Sequence, residues 1–295
     1  MEQGMRFAEI GQQLRAYRME SGLRAEEIAA RLGVSRAALY RYEKGEVIKL
    51  DTVKRLAELL KVSPLSLLGI GVEYYSRPAG YFERMRQIEE ASDQILQASG
   101  PLCYLTTTDG FDVALAESLS EAARQPGADR TAAQVTVDQV LALLMARKRA
   151  YQQRKPGIIA LLSASAVRVF LDRGILAGLP LPDSLRARNR EIAKAEMERI
   201  ADQMETEPMG LQFGLLGSAE PNSGFVILRG RDRATLAVNP YRADSMPMQQ
   251  TGVAMITGAD EAVTAHQRVA EALWRDSLRG PAAATAIREM IAIRN

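Results

Sequence analysis

Few side chains of this protein could perform nucleophilic or metal chemistry. The 295 residues include a single histidine, His266, and a single cysteine, Cys103. These supply too few ligands for a two-histidine or thiolate metal site, and a catalytic triad could be centred only on His266. His266 falls in a helical pattern, and no positive charge beside Cys103 in the sequence would lower its thiol pKa. We therefore predict no catalytic residue, no metal and no cofactor, with a thiol sensor at Cys103 as an open alternative.

The composition is that of an ordinary folded chain. Apolar residues make up 47% and charged residues 25%, which excludes disorder of the whole chain. No apolar stretch reaches the ~20 residues that span a bilayer, and residues 1–6 do not begin a secretory signal. At roughly 100–200 residues per domain, the length predicts about two domains. We expect a cytoplasmic protein without a membrane partner.

The basic charge is concentrated at the N-terminal end. The net charge of the whole chain is only +2, which does not by itself indicate nucleic-acid binding. Residues 1–72 carry 12 Lys and Arg against 9 Asp and Glu, whereas the remainder carries 26 against 27. The uneven distribution directs attention to the first quarter of the chain.

Two short helical patterns lie within this basic segment. The first covers residues 25–32 and ends at Gly33, a residue type that commonly terminates helices. The second opens at Ser35, whose hydroxyl can cap the first turn, and stops at Gly45. The connection is too tight for independent packing, so the pattern predicts a helix-turn-helix unit whose second helix fits a DNA major groove. Four residues of that helix would face outward: Arg36, Ala37, Tyr40 and Arg41.

The segment resembles the DNA-binding domain of the Cro/C1 repressor type, also called the XRE family. The matching motifs are LRAEEIA at 23–29, LGVS at 32–35 and LYRYEKG at 39–45, followed by the helical stretches at 50–60 and 64–68. The likeness covers about residues 8–70 and implies an all-α domain of five helices. Ala25 departs from the pattern, since the family often carries there a glutamine that contacts a phosphate.

The outward face and the resemblance together indicate roles for individual residues. The base-reading candidates are Ser35, Arg36, Ala37, Tyr40 and Arg41, because arginine can bond guanine in bidentate fashion and a small residue can meet a thymine methyl. The phosphate-contact candidates are Arg15, Lys44 and Lys49. The resemblance also implies a structural salt bridge between Arg18 and Glu43. The alternatives are a Tyr40 ring packed on the domain surface and charged side chains that are merely solvated.

The rest of the chain alternates between helical and strand patterns. After a linker at 71–80 we expect helices at 81–97, 113–124, 131–153, 184–203, 259–278 and 282–293. Strands are expected at 101–105, 157–162, 211–216, 224–228, 234–239 and 251–256, with hairpin signals at 221–224 and 229–232. The predicted fold is an α+β domain with a mostly antiparallel sheet. A basic cluster at 147–155 reads either as favourable charge at a helix end or as an anion site.

The predicted organisation is a helix-turn-helix domain at 1–70, a linker at 71–80 and an effector-sensing or dimerisation domain at 81–295. The outline of the last part loosely resembles domains attached to XRE-type regulators, and it indicates no effector-binding residues. The resemblance implies a sequence-specific transcriptional regulator, and we expect a homodimeric repressor on a palindromic double-stranded operator, with a small-molecule or protein effector. The alternatives are an antitoxin or phage-type regulator that binds a protein partner, or an enzyme with an attached DNA-binding module. We expect no enzymatic activity.

Overall fold

The computed structural model describes residues 7–98, 100–124, 130–217, 220–221, 223–239 and 252–294. Its N-terminal part is helical throughout, and apolar side chains from each of the longer helices meet in one core. The last of these N-terminal helices begins with Ser63 as its capping residue and a proline in its first turn. A proline is tolerated there because the backbone N–H that it lacks would have no partner within the helix. These helices are α1 (Phe7–Ser21), α2 (Ala25–Leu32), α3 (Arg36–Glu43), α4 (Leu50–Leu60) and α5 (Pro64–Leu67).

The remaining residues build a single mixed sheet surrounded by helices. In the described residues the strand order is β1-β7-β6-β5-β2-β3-β4. Strands β2, β3 and β4 run parallel to one another. The other neighbours, β1 and β7, β7 and β6, β6 and β5, and β5 and β2, pair in antiparallel fashion. The strands are β1 (Val72–Tyr75), β2 (Gln94–Ala98), β3 (Gly157–Ser163), β4 (Leu211–Leu216), β5 (Phe225–Arg229), β6 (Ala234–Val238) and β7 (Ala254–Thr257).

The expectation of a mostly antiparallel sheet is therefore wrong, and the sheet is mixed. The cause is the length of two connections. Helices α7 (Asp109–Ala123) and α8 (Arg130–Arg154) lie between β2 and β3, and α9 (Ala164–Arg173) and α10 (Asp183–Thr206) lie between β3 and β4. A helical crossover returns the chain to the same end of the sheet, so that the next strand runs parallel to the last.

The hairpin signals have different outcomes. Residues 229–232 do join antiparallel neighbours, β5 and β6. The signal at 221–224 does not mark a hairpin, because β4 pairs with β3 while β5 pairs with β2 and β6. Thr251, the first residue of the last predicted strand, lies outside the described residues.

Helices cover both faces of the sheet. Helix α11 (Asp260–Asp276) packs on one face, where Phe225, Ile227 and Leu236 meet Val263 and Ala270. The opposite face belongs to the larger core, which also includes α6 (Pro78–Glu90), α12 (Gly280–Ala292) and the N-terminal helices. No helix among the described residues combines the length and apolar character needed to cross a membrane.

Three local expectations between residues 71 and 105 are corrected. The presumed linker contains β1 and the start of α6. The helix predicted at 81–97 ends at Glu90. Residues 94–97 instead belong to β2, where Ile95 and Leu96 pack against the two cores on opposite faces of the sheet. A short apolar run of this kind cannot be assigned from periodicity alone. The strand predicted at 101–105 is a turn that ends in a 3₁₀ helix, Tyr104–Thr106.

The N-terminal helices are seated directly on the larger region. The rings of Tyr17 in α1 and Tyr75 in β1 stack, with centroids 5.3 Å apart. The side chain of Gln87 in α6 donates to the Gln12 carbonyl of α1 (3.1 Å). Only four residues separate α5 from β1, so the connection leaves little freedom between the two parts.

Candidate nucleic-acid interface

The turn between α2 and α3 is determined by two adjacent local motifs. The backbone N–H of Val34 donates to Ala29 O (3.0 Å) and that of Gly33 to Ala30 O (3.2 Å), the paired bonds of a Schellman ending. Gly33 has a φ of +71°, a conformation that glycine adopts without steric penalty. Ser35 then caps α3 by accepting a hydrogen bond from the N–H of Ala38 (3.1 Å). The predicted cap is confirmed, and the turn needs only one residue between the two caps.

Helix α3 divides into a buried face and an accessible face. Leu39 is completely buried and Ala38 nearly so, which fixes the rotation of the helix about its axis. The base-reading candidates lie on the other side. Ser35, Arg36, Ala37 and Arg41 are exposed, and Tyr40 is half-buried. No part of the described larger region covers this face.

An ion pair holds the C-terminal end of α3 against α1. The guanidinium of Arg18 donates to both carboxylate oxygens of Glu43, at 2.5 and 3.1 Å. Burial lowers the pKa of Arg18 and the Glu43 carboxylate raises it, with a net rise. Glu43 is almost fully buried, so the guanidinium supplies hydrogen bonds that water cannot. The resemblance implied this pair, and its role in holding the recognition helix stays a prediction.

Two glycines allow α1 to approach the end of α3 at backbone distance. A Cβ atom on Gly11 would lie 2.5 Å from Tyr42 O, and one on Gly45 would lie 2.7 Å from the Cα of Ala8. Gly45 also has a φ of +94°. Larger residues at these positions would push the two helices apart. The beginning of α1 therefore lies against the loop that leaves α3.

The outward arginines of α3 have carboxylate partners that the sequence analysis did not identify. Arg36 pairs with Glu26 of α2 (2.7 Å) and also donates to the Tyr40 hydroxyl (3.2 Å). Arg41 pairs with Glu46 (2.6 Å). All four charged side chains are about half exposed, and exposed ion pairs contribute little to stability. These arginines can therefore exchange their carboxylates for acceptors on a ligand at little cost in stability.

The three phosphate candidates lie in two different settings. Lys44 follows the last residue of α3 and Lys49 immediately precedes α4, and both are exposed. Arg15 instead pairs with the buried Glu83 of α6 (2.9 Å). The structure thus places Lys44 and Lys49 near the exit of α3, and Arg15 at the contact between α1 and the larger region.

The basic cluster near the end of α8 does not form an open anion site at its first two residues. Arg147 pairs with Glu89 (2.6 Å), and Lys148 pairs with Asp112 (2.5 Å). Both cations are largely shielded from solvent by these contacts. A carboxylate already neutralises each of them, so the anion-site interpretation is wrong for this pair.

Cys103 and His266 both lie in packed surroundings. Cys103 is buried, and burial raises the pKa of its thiol to about 11, which opposes formation of the reactive thiolate. The Nδ1 atom of His266 lies 2.9 Å from the Ala262 carbonyl one turn earlier, and the His266 and Phe225 rings make a T-shaped contact. Across the described ranges, no group of three or more His, Cys, Asp or Glu side chains is placed to hold a metal ion.

Comparison with known proteins supports the interpretation of the N-terminal helices. A family model described as a helix-turn-helix domain matches residues 9–67, which is the segment from α1 to α5. Residues 9–67 are a helix-turn-helix domain. A protein of Pyrococcus horikoshii, named as an HTH-type transcriptional regulatory protein, is 32% identical over 123 residues. The match spans 38% of this chain and 38% of that relative.

The helix-turn-helix domain is connected to the larger region through a buried carboxylate that sequence reasoning missed. Glu73 of β1 accepts hydrogen bonds from the Gln13 amide of α1 (2.9 Å) and from the Tyr75 hydroxyl (2.7 Å). It also accepts two from the Arg84 guanidinium, each at 2.8 Å. The only sequence signal was a glutamate within a short apolar run. This network ties α1, β1 and α6 together.

Proposed function

We propose that the protein is a DNA-binding transcriptional regulator of the Cro/C1 (XRE) type, with the five helices α1 to α5 as its DNA-binding domain. One observation carries the proposal. The outward face of α3 is accessible and basic, and α3 lies within the segment that matches a helix-turn-helix family model. The Pyrococcus relative, named as a transcriptional regulatory protein, supports the same assignment. The site of action would be the cytoplasm.

The proposed mechanism places the first turns of α3 in the major groove. Arg36 and Arg41 would leave Glu26 and Glu46 and bond base edges, with discrimination of roughly 1–3 kcal/mol for each good bidentate contact. Ala37 would meet a thymine methyl, while Ser35 and Tyr40 complete the reading face. Lys44 and Lys49 would contact the phosphodiester backbone, which sets position rather than sequence.

We further propose a homodimer that binds a palindromic operator and represses transcription. A single recognition helix makes a small interface. Two copies roughly 34–36 Å apart would read successive turns of the major groove on one side of the duplex. The region after residue 80 would supply dimerisation and effector sensing. The direct packing of this region on α1 supports the proposal. Because α1 is bonded to α3 through Arg18 and Glu43, a rearrangement of the region would move α3 as well. The proposal includes no enzymatic activity, since the contacts of His266 and Cys103 serve packing.

Selection of DNA from a random-sequence duplex pool by the full-length protein tests the proposal. We expect enrichment of a palindromic sequence, and relaxed base preference for Arg36→Ala or Arg41→Ala. Arg168→Ala is the matched control, because Arg168 is an exposed arginine on α9, which packs on α10, α12 and β3. Sedimentation of the complex then counts the protomers on each duplex.

Absence of any enrichment would contradict the DNA-binding proposal. Enrichment of a single half-site by a monomer would contradict only the proposed homodimer and leave the DNA-binding proposal intact. Recovery of a stoichiometric protein partner, together with a failure to enrich DNA, would instead support the antitoxin-type alternative.

A further inference from the structure

The turn between β5 and β6 carries a group of basic side chains outside the helix-turn-helix domain. Arg231 and Arg233 are exposed, and Asp232 lies between them. The turn is closed by a hydrogen bond from the Gly230 N–H to Arg233 O (3.0 Å). A Cβ atom on Gly230 would lie 2.9 Å from the carbonyl of Ala91, so the base of the hairpin is packed tightly against the end of α6.

This hairpin lies beside the helix-turn-helix domain. The guanidinium of Arg233 is 3.5 Å from the carboxylate of Glu9, in the first turn of α1. The preceding residue, Ala8, touches Gly45 at backbone distance. Gly45 directly follows Lys44. Arg233 is therefore a neighbour of the same end of α1 that lies against the exit of the recognition helix, and Arg231 is on the same turn, two residues away.

The position of the hairpin relative to α3 is set by buried contacts. Glu73 binds Gln13 of α1 and Arg84 of α6, and Arg18 of α1 binds Glu43 of α3. The hairpin joins this framework where Gly230 packs against the Ala91 carbonyl at the end of α6. Because the backbones of the hairpin and of α3 are positioned in advance, binding of one ligand by both carries a smaller ordering cost.

We propose that the β5–β6 hairpin extends the DNA-binding surface, with Arg231 and Arg233 contacting the phosphodiester backbone beyond the reach of Lys44 and Lys49. The inference rests on the proposed function and adds a second part of the chain to the interface. Glu9 is the counter-charge that Arg233 exchanges for a phosphate. The ligand chemistry is that of double-stranded DNA, recognised here by charge and position rather than by sequence.

The test measures binding of the full-length protein to a short random-sequence duplex over a range of salt concentrations. Each phosphate contact contributes a slope of about 0.9 to the plot of log Kobs against log salt concentration. The double variant Arg231→Ala/Arg233→Ala should lose about 2 from that slope. Lys49→Ala is the positive reference, and Arg168→Ala/Arg173→Ala is the control of equal charge change for the hairpin variant, because both arginines are exposed on α9. Glu9→Gln should tighten binding, because it removes a carboxylate that competes with the phosphate.

The outcomes separate this inference from the proposed function. Wild-type protein without salt-dependent duplex binding would overturn both. Wild-type binding with a reduced slope for Lys49→Ala, but an unchanged slope for the hairpin variant, would overturn the hairpin contact alone. An equal loss of slope in Arg168→Ala/Arg173→Ala would also overturn it, because the effect would then follow net charge. Thermal unfolding of each variant verifies that the fold is intact.

Discussion

The carboxylate of Glu43, the last residue of α3, receives both of its guanidinium hydrogen bonds from Arg18 of α1. The two residues are 25 positions apart in sequence, and their contact joins α1 to the end of α3, the helix that we propose to read bases. Its geometry leaves the outward side of α3 to solvent while fixing the inward side. The stability of the helix-turn-helix domain and the orientation of α3 therefore depend on the same contact.

Arg18→Met should destabilise the protein and weaken DNA binding together. Methionine keeps the apolar stem but leaves Glu43 buried without its donors, at a cost of about 1–3 kcal/mol. Urea unfolding measures the free energy, and duplex binding measures the effect on α3. The matched control is Arg24→Met, because Arg24 pairs with Glu27 on the exposed surface of α2 and should change stability little. Equal losses in the two variants would contradict the role of the Arg18–Glu43 pair.

Glu73→Gln should be among the most damaging isosteric changes in the chain. The variant removes the carboxylate that accompanies the buried Arg84, and breaking a buried pair in this way costs about 3–5 kcal/mol. Replacing both residues, as in Glu73→Gln/Arg84→Met, should recover much of the loss because no unpaired charge remains. Glu90→Gln is the control, since Glu90 pairs with Arg86 at a more exposed site. A double variant less stable than Glu73→Gln would argue against an unpaired Arg84 as the cause.

Two glycines with positive φ should respond differently to the same substitution. At Gly33 an added Cβ meets nothing within 4 Å, so Gly33→Ala bears only the left-handed backbone cost of about 1–2 kcal/mol. At Gly45 the backbone cost is joined by the clash with Ala8. We expect Gly45→Ala to be the more destabilising of the two by chemical denaturation. Equal effects would show that α1 can move away from the exit of α3 without loss.

Cys103 should make stability depend on alkaline pH. Burial raises the pKa of its thiol from an ordinary 9.0 to about 11 in the folded chain. The stabilising contribution is complete below pH 9 and declines as the pH rises towards 11, because only the unfolded chain then ionises. The full decline is about 2–3 kcal/mol. The difference in unfolding free energy between wild type and Cys103→Ala should shrink over that interval, and a constant difference would contradict the assignment.

Much of the helix-turn-helix domain could be predicted because its signals are local. Helix α2 ends with the Gly33 N–H bonded to a carbonyl three positions earlier and the Val34 N–H bonded to one five positions earlier. Ser35 starts α3 by bonding a residue three positions later. The apolar spacing on α3 then determines which side is buried. Each of these relations is contained within a few residues, so the sequence alone was sufficient to predict them.

The carboxylate partners of the basic residues could not be predicted in the same way. Arg15 lies on the same helix as Arg18, yet it pairs with Glu83 of α6. Glu73 appeared to belong to a linker, yet it receives hydrogen bonds from α1, β1 and α6. A side chain's charge is visible in the sequence, but its partner depends on which elements pack together.

The sequence by itself determined the helix-turn-helix unit, its caps and the side of α3 that faces outward, since short-range hydrogen bonds and helical periodicity decide these features. Only the tertiary structure decided that β2, β3 and β4 run parallel, and that α1 is fixed to the larger region through Glu73. Strand order and buried ion pairs join residues far apart in the chain. They follow from the packing of the whole core, which no local pattern encodes.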